Sequence, residues 1–376
     1  MIDDLLLEDL AGMSALDASD MLSAVASSGA QVREAVATID RTSLATISAG
    51  DQPRNLVFAG MGGSGVGGQV LRAVLGQSGP IPIVLEQSHS LPGWVGPMDV
   101  VVGVSCSGMT EETLSATAEA GRRGARLITI GAGGSDLEKL SNSIAGAVHF
   151  PINAKGRSPR ASLWTHATPL LMVANALGIA HIDEKEFEIA ADLMDELSVA
   201  NGPSVTTLEN TAKAIALTCA ESLPMVWGTG MIGATAAARF MAQLAENSKI
   251  PAVHGELPEV GHNQIVAFDG LLAGAAPDRD IFRDDDGVVD RRTHLYILRD
   301  TNEHPAVAKR IQVISQIASD RNVPITMLQA KGNHAISRLA SLIITTDWAS
   351  VYAGLALGLD PSQISPINQL KSGLAH

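Results

Sequence analysis

A chain of 376 residues with a formal net charge of −14 can bury a large core, and its size suits two domains. No basic cluster tracks along it, so no nucleic-acid partner is expected, and two cysteines, Cys106 and Cys219, imply no disulfide framework. The acidic start, MIDDLLLEDL, is unlike a signal peptide, and no apolar run is read as reaching the roughly 18 residues of a membrane span; a cytoplasmic protein with no membrane partner is expected.

Residues 1–50 read as an N-terminal helical segment. Strand and helix patterns then alternate. Strands are predicted at Asn55–Ala59, Ile81–Leu85, Asp99–Val104, Ala125–Ile130 and Ala147–Phe150, with helices at Gly68–Leu75, Glu111–Arg122 and Asp136–Asn142. Such alternation predicts an α/β fold, a parallel sheet covered by helices, over residues 51–155. Residues 156–222 read as a helical connection. The pattern restarts at 223: strand Leu223–Trp227, a second glycine turn GTGMIG, and a helical run Ala234–Glu246. Strands near His294–Leu298, Pro324–Leu328 and Ser341–Thr345, a helix at Pro305–Asp320 and C-terminal helices complete a second α/β domain over 223–376. Residues 268–293, dense in charge, Gly and Pro, read as an exposed excursion.

Two stretches carry the chemistry. The first, LVFAGMGGSGVGG at 56–68, is a strand, a glycine turn with one hydroxyl, Ser64, and a helix start. Its amide groups and helix dipole favour an anion, and its bare glycines let a phosphate approach the backbone. Gly60, Gly62 and Gly65 also satisfy G-x-G-x-x-G, and Glu86 ends the next apolar run, so a dinucleotide is the rival ligand. The second stretch follows the third strand: SCSGMTEET puts Ser105, Ser107 and Thr110 on one strand–helix turn. Helix capping explains one of these hydroxyls; three suit several oxygens of one phosphate group. Histidines such as His166, His181 and His304 show no shared metal-ligand spacing, and no metal or cofactor is expected.

Together, GMGGSG and S-x-S-G-x-T-E-E-T resemble the sugar isomerase (SIS) domain. Within that superfamily, GRSPRASL, AENSKIPA with GHNQI after it, and TDWASVYAGLALGLDP with a following lysine are similar to the bifunctional phosphoglucose/phosphomannose isomerase family. The resemblance runs in order from about residue 55 to 371. It implies two SIS-type, flavodoxin-like halves, a homodimer with shared active sites, and metal-independent interconversion of aldose and ketose 6-phosphates. By its motifs, Gly63, Ser64, Ser105, Ser107 and Thr110 fall on phosphate-binding positions, while Arg160, Glu246, His262 and Lys371 fall on catalytic ones. The chemistry is consistent. A histidine assisted by a lysine can open the ring, one carboxylate can move a proton between C1 and C2 of a cis-enediolate, and a guanidinium can stabilise the charge that develops.

The chain departs from the family pattern at Cys106 and Met109, where an aromatic residue and an Asn are usual, and at Gln264, where a Glu is usual. Its 268–293 stretch is longer than the family connection. Two alternatives stand beside the isomerase. A phosphosugar-binding regulator would need only the phosphate loops, not Glu246, His262, Arg160 and Lys371. A nicotinamide dehydrogenase would leave the hydroxyl cluster and the second glycine turn without a purpose.

Overall fold

A computed structural model of the protein describes residues 2–273 and 291–374. The chain gathers into two units, one of Ala26–Asp195 with Gly332–Ala340, the other of Met1–Val25, Glu196–Lys331 and Ser341–His376.

In the first unit, strands β1 (Leu56–Ala59), β2 (Ile83–Glu86), β3 (Val100–Ser105), β4 (Arg126–Ala132) and β5 (Val148–Ile152) form one parallel sheet in the order β2-β1-β3-β4-β5. This is the flavodoxin-like order. Every residue of β1 and β3 is buried, as continuous apolar runs at the centre of a sheet covered on both faces should be. The helix after β1 runs from Gly62 to Leu75, six residues earlier than predicted. Glycine costs about 1 kcal/mol per residue in a helix interior. Packing of this helix on β1, β2, β3 and helix Leu163–Ala176 outweighs that cost.

The second unit repeats the plan. Strands β6 (Leu223–Thr229), β7 (Val253–Leu257), β8 (Thr293–Arg299) and β9 (Ile325–Gln329) are parallel in the order β7-β6-β8-β9. Strand β7, VHGEL, is a largely exposed edge whose polar residues hide it from a hydropathy reading. The strand expected at Ser341–Thr345 is instead part of helix Ala335–Ala356. The most apolar 18-residue window of that helix is wholly buried, so it has no solvent-exposed face to reveal a helical period, and its β-branched run IITT mimics a strand. By length and composition the helix could cross a membrane, contrary to expectation, but here it is a core helix. The 268–293 stretch is also corrected at its ends: Phe268 is buried and stacks on Trp227 at 5.7 Å, and Thr293 opens β8. Residues 274–290 of it lie outside the described residues.

Asp99, immediately before β3, ties the amino ends of the two central strands. Its buried carboxylate accepts from Arg54 Nη2 at 2.7 Å, Asn55 Nδ2 at 2.7 Å and the Gly96 amide at 2.9 Å. Burial pushes this carboxyl up, but the bonds from Arg54 and Asn55 outweigh it and hold the pKa below the ordinary 3.8. A depressed folded pKa stabilises above the unfolded value and loses that contribution as the pH falls through the folded one. Asp99→Asn is therefore expected to cost about 1–3 kcal/mol at neutral pH in urea titrations. The gap to wild type should close as the pH drops below 3.8. A gap that stays constant with pH would contradict an ionised anchor.

Candidate active site

The phosphate-type turns sit at the carboxyl ends of β1 and β3, which are neighbours in the sheet. Helix Gly62–Leu75 begins after Met61, and helix Glu111–Arg122 begins after Thr110, neither N-cap side chain bonding to its own helix. The capping explanation for Thr110 therefore does not hold. Its Oγ1 lies 2.9 Å from Ser105 Oγ, which also accepts from the Gly108 amide at 3.1 Å. The two turns are joined directly, because the Cys106 amide donates to the buried Ser64 hydroxyl at 3.0 Å. Ser107 is exposed on the same loop and accepts from the Met109 amide at 3.3 Å.

The first glycine turn also meets the PR motif. A Cβ on Gly63 would lie 3.1 Å from the Pro159 carbonyl group and 3.2 Å from the Arg160 amide nitrogen, so a side chain there would push the two turns apart. Arg160 itself is only 3 % exposed, unlike an ordinary loop cation. Its turn is held from behind by Gln31, whose Nε2 donates to the Ala161 carbonyl at 2.8 Å. Gln31 and Arg157 were not singled out from sequence. Both connect through Thr165, whose hydroxyl accepts from Arg157 Nη2 at 3.3 Å and donates to Gln31 Oε1 at 3.1 Å. These three residues and Cys106 line a cavity of about 750 Å³. Burial raises the Cys106 thiol pKa, with Arg157 partly opposing it, so the thiol is neutral at physiological pH and adds no negative charge beside an anion site.

The acid–base candidates belong to the other unit. Helix Gly230–Gln243 passes into a π turn, Leu244–Ser248, that carries half-buried Glu246; the sequence pattern shows only one continuous helix there. Such turns are frequent at functional sites. His262 ends the 3₁₀ turn Glu259–His262 and is exposed. The segment just after it is clamped by Gln264, which accepts from Trp227 Nε1 at 2.8 Å and donates to the His254 carbonyl at 3.1 Å. A glutamate could make only the first of these bonds, which accounts for the amide at this position. Lys371 is exposed on helix Ser365–Leu374. The predicted residues thus divide into a phosphate-type group in one unit and an acid–base group in the other. Among the described residues, no three His, Cys, Asp or Glu side chains are grouped to hold a metal.

Residues 208–374 match the family model for the bacterial phospho-glucose isomerase C-terminal SIS domain. The bifunctional phosphoglucose/phosphomannose isomerase of Caldicellulosiruptor bescii is 30% identical over 85% of this chain and 89% of its own length. The enzyme of the same name from Aquifex aeolicus is 29% identical over 85% and 90%. Among solved structures, the C-terminal domain of glucosamine-fructose-6-phosphate aminotransferase from Francisella tularensis is similar with a TM-score of 0.64, over 92% of this chain and 98% of that one. At 15% identity, that likeness is one of fold.

If the joined turns hold a phosphate group, each hydroxyl lost from a charge-assisted bond should weaken binding by about 1.5–3 kcal/mol. Ser107→Ala and Thr110→Ala are expected to do so in calorimetric titrations with a hexose 6-phosphate, with little change in melting temperature. Unaltered affinity in both variants would move the anion site elsewhere.

Proposed function

The chain belongs to the bifunctional phosphoglucose/phosphomannose isomerase family, and from that premise we propose that it interconverts glucose 6-phosphate and mannose 6-phosphate with fructose 6-phosphate. The observation that carries the reading is the junction of two uncapped helix N-termini through Ser64 and Cys106, lined by hydroxyls, because it suits a phosphate monoester. The two parallel sheets are, on this reading, the cores of the two SIS-type halves.

The phosphate group anchors in the turns of Gly63, Ser64, Ser105, Ser107 and Thr110. His262, assisted by Lys371, moves the protons that open the sugar ring. Glu246 takes the proton from one of C1 and C2 and returns it to the other, through a cis-enediolate. Arg160 stabilises the enediolate oxygens, where buried positive charge acts strongly. Glucose and mannose 6-phosphate differ only at C2, which is planar in that intermediate, so one set of groups can serve both. The steps use side chains alone, and activity is expected to persist in EDTA. The exposure of His262 supports a role at the site of a second copy, in a homodimer with shared sites. The acidic chain and its two free, buried cysteines suit the cytoplasm.

Glu246→Gln and His262→Ala should each lower turnover by about 10²–10⁴-fold. In an equal mixture allowed to exchange subunits, half the dimers carry one site with both groups intact, so about a quarter of wild-type activity should return. If mass spectrometry shows heterodimers and activity stays absent, the shared-site arrangement is wrong.

A further inference from the structure

Resting on the reading of Glu246 as the proton carrier, we propose that Lys249 is a positioning residue, which locks the Glu246 turn to the turn that precedes the Lys371 helix. Lys249 ends the π turn with φ 57° and ψ 25°, in the left-handed region. Helices commonly place glycine at such an end, because other residues are strained there. The lysine side chain gives the position a purpose. Its ammonium donates to the Glu246 carbonyl at 3.0 Å, the Asn247 carbonyl at 3.4 Å and the Asp360 carbonyl at 3.3 Å. Its three donors thus fall on three backbone oxygens. Two of those oxygens belong to the turn bearing Glu246. The third belongs to the Asp360 turn, where the Asp360 carboxylate in turn accepts from the Ser362 amide at 2.8 Å. Helix Ser365–Leu374, with Lys371, follows at once. One cation therefore joins two segments 111 residues apart, each carrying a proposed catalytic side chain.

The turn is fixed from its buried side as well. Asn247 Nδ2 donates to Ser350 Oγ at 2.9 Å, and Ser350 Oγ donates to the Asp347 carbonyl at 2.7 Å. Ser248 Oγ bonds to the Leu244 carbonyl at 2.7 Å. Helix Ala335–Ala356 presses so close that a Cβ on Gly354 would lie 2.6 Å from the Asn247 carbonyl oxygen. Asn247, Ser248 and Ser350 are all buried, whereas Lys249 lies at the surface. The core thus holds the underside of the turn, and the Lys249 ammonium holds its outer rim. A carboxylate that must serve two adjacent carbons has little tolerance for displacement, and a shift of about 1 Å can cost about 100-fold in rate.

The test separates this role from helix termination. Lys249→Gly relieves the left-handed backbone and removes the ammonium; Lys249→Arg keeps a cation and its donors. With fructose 6-phosphate, Lys249→Gly is expected to lower kcat by about 10- to 100-fold at an unreduced melting temperature. Its KM should change by less than about threefold, and Lys249→Arg should recover much of the loss. Hydrogen exchange over residues 244–250 should rise in the glycine variant. Wild-type kcat in Lys249→Gly, with Glu246→Gln inactive, overturns the positioning role alone. Wild-type kcat in Glu246→Gln overturns the assignment of the base on which it rests.

Discussion

The bond from the Cys106 amide to the Ser64 hydroxyl ties the turn after β1 to the turn after β3, and the phosphate site proposed here depends on that tie. Two helix N-termini at one sheet edge each offer amides and a partial positive charge, but they serve a single anion only if held in register. The register is secured at both ends of the central strand pair. Asp99 joins the amino ends through Arg54 and Asn55, and Ser64 joins the carboxyl ends. Between them, Ala59 stands opposite Gly103 in a ladder whose residues are all buried. The hydroxyls of Ser105 and Thr110, in contact with each other, then complete the proposed cradle for phosphate oxygens.

The second unit keeps the plan and changes its use. After β6, the Thr229 hydroxyl accepts from the Asp300 amide at 2.7 Å, a tie between the carboxyl ends of β6 and β8 like that between β1 and β3. Here the loop after the second strand of the pair opens with a buried carboxylate, Asp300, where the first unit has the neutral thiol of Cys106. The second unit instead presents Glu246, at the far end of its first crossover helix, through a π turn packed on helix Ala335–Ala356. On the proposed reading, one topology supplies a binding half and an acid–base half.

Much of this was legible in the sequence. Apolar runs locate eight of the nine strands among the described residues, since β1, β3, β6 and β8 are short, continuous and buried. The glycines at 60–68 and the hydroxyls at 105–110 point from sequence alone to the two turns at the carboxyl ends of β1 and β3 that Ser64 and Cys106 join. What stayed hidden depended on tertiary contacts. The apolar window of helix Ala335–Ala356 has no exposed face to show its period. Strand β7 is polar and on an edge. The Lys249 ammonium bonds to the carbonyls of residues 246, 247 and 360, a set that no local pattern brings together. Gln264 stands where the family pattern has a Glu, and its amide bridges Trp227 and the His254 carbonyl, a contact that no local pattern shows.

The central claim is that a side-chain base carries a proton between C1 and C2. The most direct measurement is isomerisation of fructose 6-phosphate in D₂O with EDTA present, followed by NMR through many turnovers. Solvent deuterium is expected at C2 of both glucose 6-phosphate and mannose 6-phosphate, because the proton that the carboxyl takes from C1 exchanges with water while the enediolate is bound. Products that form at the full rate and retain only protium at C2 would mean that hydrogen passes directly between the carbons, and would contradict it.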